Sequence, residues 1–304
     1  MLTVDQINQR LNYICGSDSS SICGLSPYKT KVAIWLEKTR RKEQEDISNA
    51  SYIKFGNYME DGVAKWFEHE SGKELLPKTQ ELLIHSEHEW MAGNIDFRLK
   101  HENAILECKT ALSADGWGDN ENIIPPHYLM QVAHYCAVGS FDKAYIAVVF
   151  TMTREMRWYE YERNLDLEKK LINIEKDFWF NNVLADVAPE PVNEEDILDL
   201  YKNTMQEPII AEPEVIEKIY ELKKIKKQKI EIDLKEQECR DKIVSFMKDY
   251  DTMIDVDGKV MVTYKLTKSG ERFDVKLFSK ENPETYKEYL KSTEPQRRLL
   301  VKGE

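Results

Sequence analysis

The sequence predicts a mixed α/β (α+β) fold followed by a helical and hairpin extension. Three observations carry that reading. Up to about residue 190, stretches of helical periodicity alternate with short runs rich in β-branched and aromatic residues. "ADVAPEPVNEED" then brings prolines and a cluster of acids together, a composition shift that sets a boundary near residue 192. Beyond it, Glu214 to Tyr250 contains neither glycine nor proline and is dominated by Lys and Glu. The expected domains are therefore residues 1–192 and 193–304.

"KTKVAIWLEKTR" places Val32, Trp35, Leu36 and Thr39 at helical spacing, after a Ser-Pro that can start a helix. "FGNYMEDGVAKWFEHESG" continues with Tyr58, Met59, Val63, Trp66 and Phe67, and stops at Gly72, a suitable C-terminal glycine. "WMAGNIDFRL" and "NAILECKT" read as strands joined by the polar turn "KHEN", hence an antiparallel hairpin. "HYLMQVAHYCAVG" is a helix between Pro125-Pro126 and Gly139. "KAYIAVVFT" and "MRWYEYER" make a second strand pair, and "LDLEKKLINIEKDFWFNNVL" closes the region as an amphipathic helix. In the extension, Glu214–Tyr250 forms one helix of about 50 Å. "MIDVDGKVMVTYKL" carries an Asp-Gly hairpin signal, "PETYKEYLKS" a short helix, and "RRLLVK" a final strand.

The 304 residues are 41% hydrophobic and 32% charged, which describes a soluble globular chain. No apolar run approaches the ~20 residues that span a bilayer. The N-terminus lacks a basic start followed by an apolar stretch, so no secretory signal is expected. Five cysteines without a CxxC pair favour reduced thiols in the cytoplasm and argue against a structural zinc site. A net charge of −12 opposes non-specific DNA binding, although a cation at a carboxylate site inverts the local field.

"ILECKT" contains the chemistry. Side chains alternate along a strand, so Glu107 and Lys109 share one face while Leu106 and Cys108 take the other. Buried charges need compensation. Asp96 lies on the preceding strand, close enough across a hairpin for two carboxylates to share a cation. Glu60 projects from the preceding helix, and Gln131 and Tyr135 share a face of the following one at i, i+4 spacing. Asp-x(10)-Glu-x-Lys on paired strands suits phosphodiester hydrolysis assisted by Mg²⁺ or Mn²⁺, with the lysine orienting or deprotonating water. Taken alone, those three residues read first as a surface ion pair and only second as a metal site.

The surrounding blocks sharpen the reading. "GSDSSSICGLSPYKT", "FGNYMEDGVAKWFE", "NIDFRL", "LECKT", "QVAHYCAVG" and "WYEYER" resemble, in order and spacing, the YqaJ family of phage-type recombination nucleases. That family belongs with the lambda exonuclease group of the PD-(D/E)XK superfamily, and the resemblance covers roughly residues 8–190. It implies a restriction-endonuclease-like core, a central mixed sheet flanked by helices. It also implies metal ligation by Asp96, Glu107 and the backbone carbonyl of Cys108, with Glu60 helping to hold the metal. Lys109 becomes the catalytic lysine and Gln131 its positioning partner, while Ser17 and Arg10 match positions that grip a terminal 5′-phosphate. The implied activity is a 5′ to 3′ double-strand DNA exonuclease of phage or prophage recombination that generates 3′ single-stranded tails. A homo-oligomer and a single-strand annealing protein are the implied partners, besides DNA.

Competing readings are a structure-directed endonuclease and a non-catalytic DNA-binding protein on the same fold. Cys108, Cys15, Cys23 and Cys136 read as packing residues. A single late cysteine, Cys239, excludes a cysteine-clamped iron–sulfur cluster. His134 reads as part of a neighbouring helical face near the site rather than as a ligand, and Trp117 either as a peg for its loop or as part of a cover over the cleft. The lysines of "LKKIKKQK" read as a solvated helix face rather than a DNA track.

Overall fold

A computed structural model describes residues 8–43, 49–79, 81–118, 123–202, 207–268, 270–291 and 297–302. It divides into two compact units, Met1–Lys202 and Asn203–Glu304. The first begins with helices α1 (Gly16–Ile22), α2 (Lys31–Lys38) and α3 (Ser51–Ser71). Short strands β1 (Leu83–Ile84), β2 (Ala92–Gly93) and β3 (Phe97–Arg98) lead into β4 (Ala104–Ala111). Helix α4 (Pro126–Gly139) connects β4 to β5 (Lys143–Phe150), followed by β6 (Glu155–Glu162) and α5 (Leu165–Asp177).

The central sheet has the order β3-β4-β5-β6. β3 and β4 run antiparallel, as do β5 and β6, whereas β4 and β5 run parallel. A parallel pair needs a crossover connection, and α4 supplies it. This is the expected mixed sheet flanked by helices. Ile105 packs with Val132, Ile146 and Val148 on the α4 side, and Leu106 packs with Val63, Phe67 and Ala147 on the α3 side. Period-two alternation thus splits one strand between two cores and fixes its register.

Several expectations are corrected. The strand expected across Trp90–Leu99 is interrupted: β2 pairs with β1, β3 pairs with β4, and Asn94–Asp96 lie between them outside any strand. The helix expected over residues 165–184 is α-helical only to Asp177, with a π-helical turn across Phe178–Leu184. The boundary expected near residue 192 falls inside the first unit. A short helix, α6 (Glu194–Leu200), follows it, and the unit runs on to Lys202. Thr30 donates to Asp196 Oδ1 at 2.6 Å, the Val192 N–H donates to its Oδ2 at 2.9 Å, and Lys42 pairs with Asp199 at 2.6 Å. Those bonds hold the proline-rich segment on the first unit.

In the second unit, α7 (Pro213–Met247) is the expected long helix. β7 (Thr252–Ile254) and β8 (Val260–Thr263) form the expected antiparallel hairpin, and α8 (Val275–Glu281) and α9 (Pro283–Glu288) follow. Residues 297–302 are not a strand, and Ser292 of the expected terminal helix lies outside the described residues. No described helix is long and apolar enough to cross a membrane, and all five cysteines are free.

A buried polar cluster pins the helices behind the sheet. His134 on α4 sits with Nδ1 3.0 Å from both carboxylate oxygens of Glu175 on α5 and Nε2 3.0 Å from the Ala92 carbonyl. Ser19 on α1 donates to Glu175 Oε1 at 2.5 Å. Both ring nitrogens face acceptors, so the doubly protonated imidazolium satisfies the site best. Burial acts to lower the His134 pKa, but the Glu175 charge and its hydrogen bond outweigh it and raise it above 6.5. A raised folded value makes the pair's contribution fully present below pH 6.5 and lost as pH climbs through that folded value. Replacing His134 by Ala leaves Glu175 buried without its cation and should cost about 3–5 kcal/mol. Urea unfolding from acid to alkaline pH should show that gap narrowing as pH rises; a pH-independent gap would contradict the charged pair.

Candidate active site

β3 brings the first acid to the second. Phe97 pairs with Leu106 and Arg98 with Ile105, so the next step of the antiparallel ladder sets Asp96 opposite Glu107. Asp96 Oδ2 accepts the Cys108 N–H at 2.8 Å, which fixes the carboxylate even though its backbone lies just outside the strand. Leu106 and Cys108 pack toward α3, leaving Glu107 and Lys109 on the α4 side, the alternation expected of this strand. Cys108 is a packing residue; burial and the neighbouring acids hold its thiol well above its ordinary pKa.

Glu107 is the centre of the arrangement, with only 4% of its surface exposed. Its Oε1 accepts from Lys109 Nζ at 2.6 Å and from Gln131 Nε2 at 2.7 Å. Its Oε2 is buried without a hydrogen-bond partner. Burial, and then the charge of Asp96, push its pKa up to about 7 despite Lys109 and Gln131. Burial likewise raises Asp96. Lys109 is raised as well, for a different reason: burial disfavours its charge, but Glu107 and Asp96 more than compensate and hold it protonated. Two facing acids share one cation, and one carboxylate oxygen is unsatisfied. A divalent cation bound by oxygen donors fits that deficit.

The cleft beside these groups, about 310 Å³, is also lined by Tyr52, Gly56, Asn57 and Glu60 from α3. Glu60 reaches the cleft, but its carboxylate is ion-paired with Lys78 rather than gathered with the other two acids. Among the described residues, no three His, Cys, Asp or Glu side chains converge as a metal cage. The oxygen donors on the strands are thus the two carboxylates and the backbone around Cys108. Lys78 was missed from the sequence, because its loop has no periodicity that would tie it to α3.

Gln131 also donates to the Tyr135 hydroxyl at 3.1 Å, so the i, i+4 pair acts as one unit that aims the amide at Glu107. The Tyr135 ring is clasped from both sides. A Cβ on Gly16 would stand 2.4 Å from its Cε1, and one on Gly93 would stand 2.7 Å from the same ring. Those glycines are required by close approach rather than by a turn. Arg10 and Ser17 meet each other, Arg10 Nη2 donating to Ser17 Oγ at 2.6 Å. Burial opposes the Arg10 charge, but Cys15, Asp18 and Tyr135 beside it raise its pKa further above its ordinary value. Asp18 pairs with Lys38 at 2.7 Å and accepts the Cys15 N–H at 3.0 Å, anchoring the start of α1. Trp117 is buried, stacked on Tyr128 at 5.3 Å, and is a peg for its loop. The remainder of that loop, residues 119–122, lies outside the described residues.

Gly16→Ala should drive a methyl group into the Tyr135 ring and cost about 1–3 kcal/mol of stability. Chemical unfolding measures this, and an unchanged midpoint would contradict the clasp.

A family model for the YqaJ-like viral recombinase domain matches residues 6–142. The protein YqaJ of Bacillus subtilis (strain 168) is 34% identical over 295 residues, covering 94% of this chain and 90% of its own. Among solved structures, the alkaline exonuclease LHK-Exo of Laribacter hongkongensis superposes with a TM-score of 0.52 at 13% identity, covering 61% of this chain and 94% of that one. Its complex with dAMP gives a TM-score of 0.50 at 15% identity over the same shares. At such identities the structural likeness shows a common fold, the nuclease fold that the sequence blocks implied. The motif blocks, the sheet that carries them and the near full-length similarity to YqaJ agree: this chain belongs to the YqaJ-like viral recombinase family.

Proposed function

We propose that the chain is a divalent-metal-dependent deoxyribonuclease, acting as a 5′ to 3′ exonuclease on double-stranded DNA and leaving 3′ single-stranded tails for phage-type recombination. One observation carries the hydrolytic part. Glu107 is held by Lys109 and Gln131 through one oxygen while its other oxygen is buried and unpartnered opposite Asp96. A buried, unsatisfied carboxylate facing a second acid is costly to keep unless a ligand completes it. Family membership and the fold shared with an alkaline exonuclease favour DNA as the substrate.

Asp96, Glu107 and the Cys108 carbonyl would hold Mg²⁺ or Mn²⁺, with Glu60 available from α3. When bound, such an ion supplies charge stabilisation for the phosphate and a more acidic water. The chain's own groups supply the rest. Lys109, kept protonated by its two acids, is a fixed cation at the edge of the cleft. It can orient the attacking water and stabilise charge that develops on the phosphate oxygens. Gln131 prevents Glu107 from rotating away, and Tyr135 prevents Gln131 from doing so. Arg10, already aimed at Ser17, offers a charged donor beside a hydroxyl, the chemistry that would grip a terminal 5′-phosphate. A homo-oligomer and a single-strand annealing protein complete the proposal, the first to retain the duplex and the second to coat the exposed tail.

Linear duplexes labelled at either end test the reading, digested with Mg²⁺ and with chelator. Release of the 5′ label first, only with Mg²⁺, is expected. Steady cutting of a circular duplex without ends would replace the exonuclease by an endonuclease. Lys109→Ala should lower the cleavage rate by about 10²-fold or more while Ca²⁺-supported DNA binding persists. Asp96→Ala should abolish the heat of Mn²⁺ binding in calorimetry. Near-normal digestion by the first variant, or an unaltered titration by the second, would overturn the assignment of that residue.

A further inference from the structure

Lys109 opens onto a second feature that the hydrolytic reading does not use. Its ammonium lies 5.1 Å from the centre of the Tyr128 ring. His127 is packed on Tyr128 with ring centres 4.0 Å apart, and Tyr28 stands edge-on to His127 at 5.9 Å. This aromatic series runs outward from the lysine and ends in a ring that is 77% exposed.

The exposure is built in. Tyr28 follows Pro27, and both its own N–H and that of Lys29 donate to Ser26 Oγ, at 3.2 and 3.3 Å, so a hydrogen-bonded turn presents the ring. His127 and Tyr128 are placed by the first turn of α4 after Pro125-Pro126, and Trp117 supports Tyr128 from behind. His127 Nε2 is out of solvent and has no hydrogen-bond partner. A solvent-facing ring packed on a histidine with an unsatisfied ring nitrogen, at the end of a series that starts at the Lys109 ammonium, is ill suited to packing. It is well suited to receive a flat, polar-edged aromatic group attached to an anion.

We propose that Tyr28, with His127 and Tyr128 behind it, is a stacking platform for an unpaired nucleobase at the end of the strand being processed. The proposal rests on the nuclease reading of the Lys109 site and adds to it a contact to a base rather than to a phosphate. Every base has a π-face, so such a contact tolerates any sequence while demanding that the base be unpaired. A duplex end must therefore fray by at least one nucleotide to use it, which makes Tyr28 a determinant of how readily a blunt end is engaged.

The test uses the full chain in chelator, titrated with single-stranded oligodeoxynucleotides carrying 2-aminopurine at either terminus. Binding should quench the fluorescence of one of the two. Tyr28→Ala should abolish most of that quench and weaken binding about tenfold or more, while Tyr28→Phe, which keeps the ring, should retain both. Digestion by Tyr28→Ala should fall more on blunt duplexes than on duplexes with a frayed, mismatched end. Unchanged quench and affinity in Tyr28→Ala would overturn the platform, as would a loss reproduced in full by Tyr28→Phe. Mg²⁺-dependent digestion by the unmodified chain is followed in parallel. Its absence alongside a Tyr28-dependent quench would remove the nuclease reading and leave the platform. Normal digestion with a Tyr28-independent quench would remove the platform alone.

Discussion

Asp96 and Glu107 face one another across the β3–β4 ladder, both removed from solvent, with Lys109 as the cation between them and the cleft. Most of the first unit can be understood as support for that juxtaposition. Burial strips both carboxylates of hydration, and Glu107 also feels the charge of Asp96, so both hold their protons more tightly than usual. The fold meets this cost with directional bonds: the Cys108 N–H to Asp96, and Lys109 and Gln131 to Glu107. One carboxylate oxygen, Glu107 Oε2, remains buried without a hydrogen-bond partner.

The support reaches outward in layers. Gln131 is aimed by Tyr135, and Tyr135 is clasped by Gly16 from α1 and Gly93 from β2. The helix that carries both is tied through His134 to Glu175 on α5 and through Glu175 to Ser19 on α1. The helix that presents Ser17 is therefore held by the same tyrosine and the same buried acid that hold Gln131 against Glu107. Such a common frame suits the proposed function, because a shift of about 1 Å between Ser17 and the acids would misplace a substrate that had to reach both.

Much of the architecture was legible in the sequence because it depends on local periodicity. The alternation in "ILECKT" told which of its side chains share a face, and i, i+4 spacing told that Gln131 and Tyr135 act together. The Asp-Gly turn and the unbroken run after Glu214 marked the extension. The break between β2 and β3 was not legible. Its backbone is set by pairing with two different strands, a constraint that lies outside the segment itself. The segment around residue 192 shows the same limit: prolines and acids look like a linker until Asp196 finds Thr30 across the fold.

By itself, the sequence determined the strand that carries Glu107, the alternation that sets Glu107 and Lys109 on one face, and the family blocks in their order. Only the tertiary structure decided which charges meet. It gave Glu60 to Lys78, left Glu107 Oε2 without a partner, joined Arg10 to Ser17, and set Tyr28 at the end of an aromatic series that begins at Lys109. The reason is physical. Periodicity is a property of neighbours along the chain, whereas hydrogen bonds and ion pairs between distant segments depend on how helices pack on the sheet, and no local pattern encodes that distance.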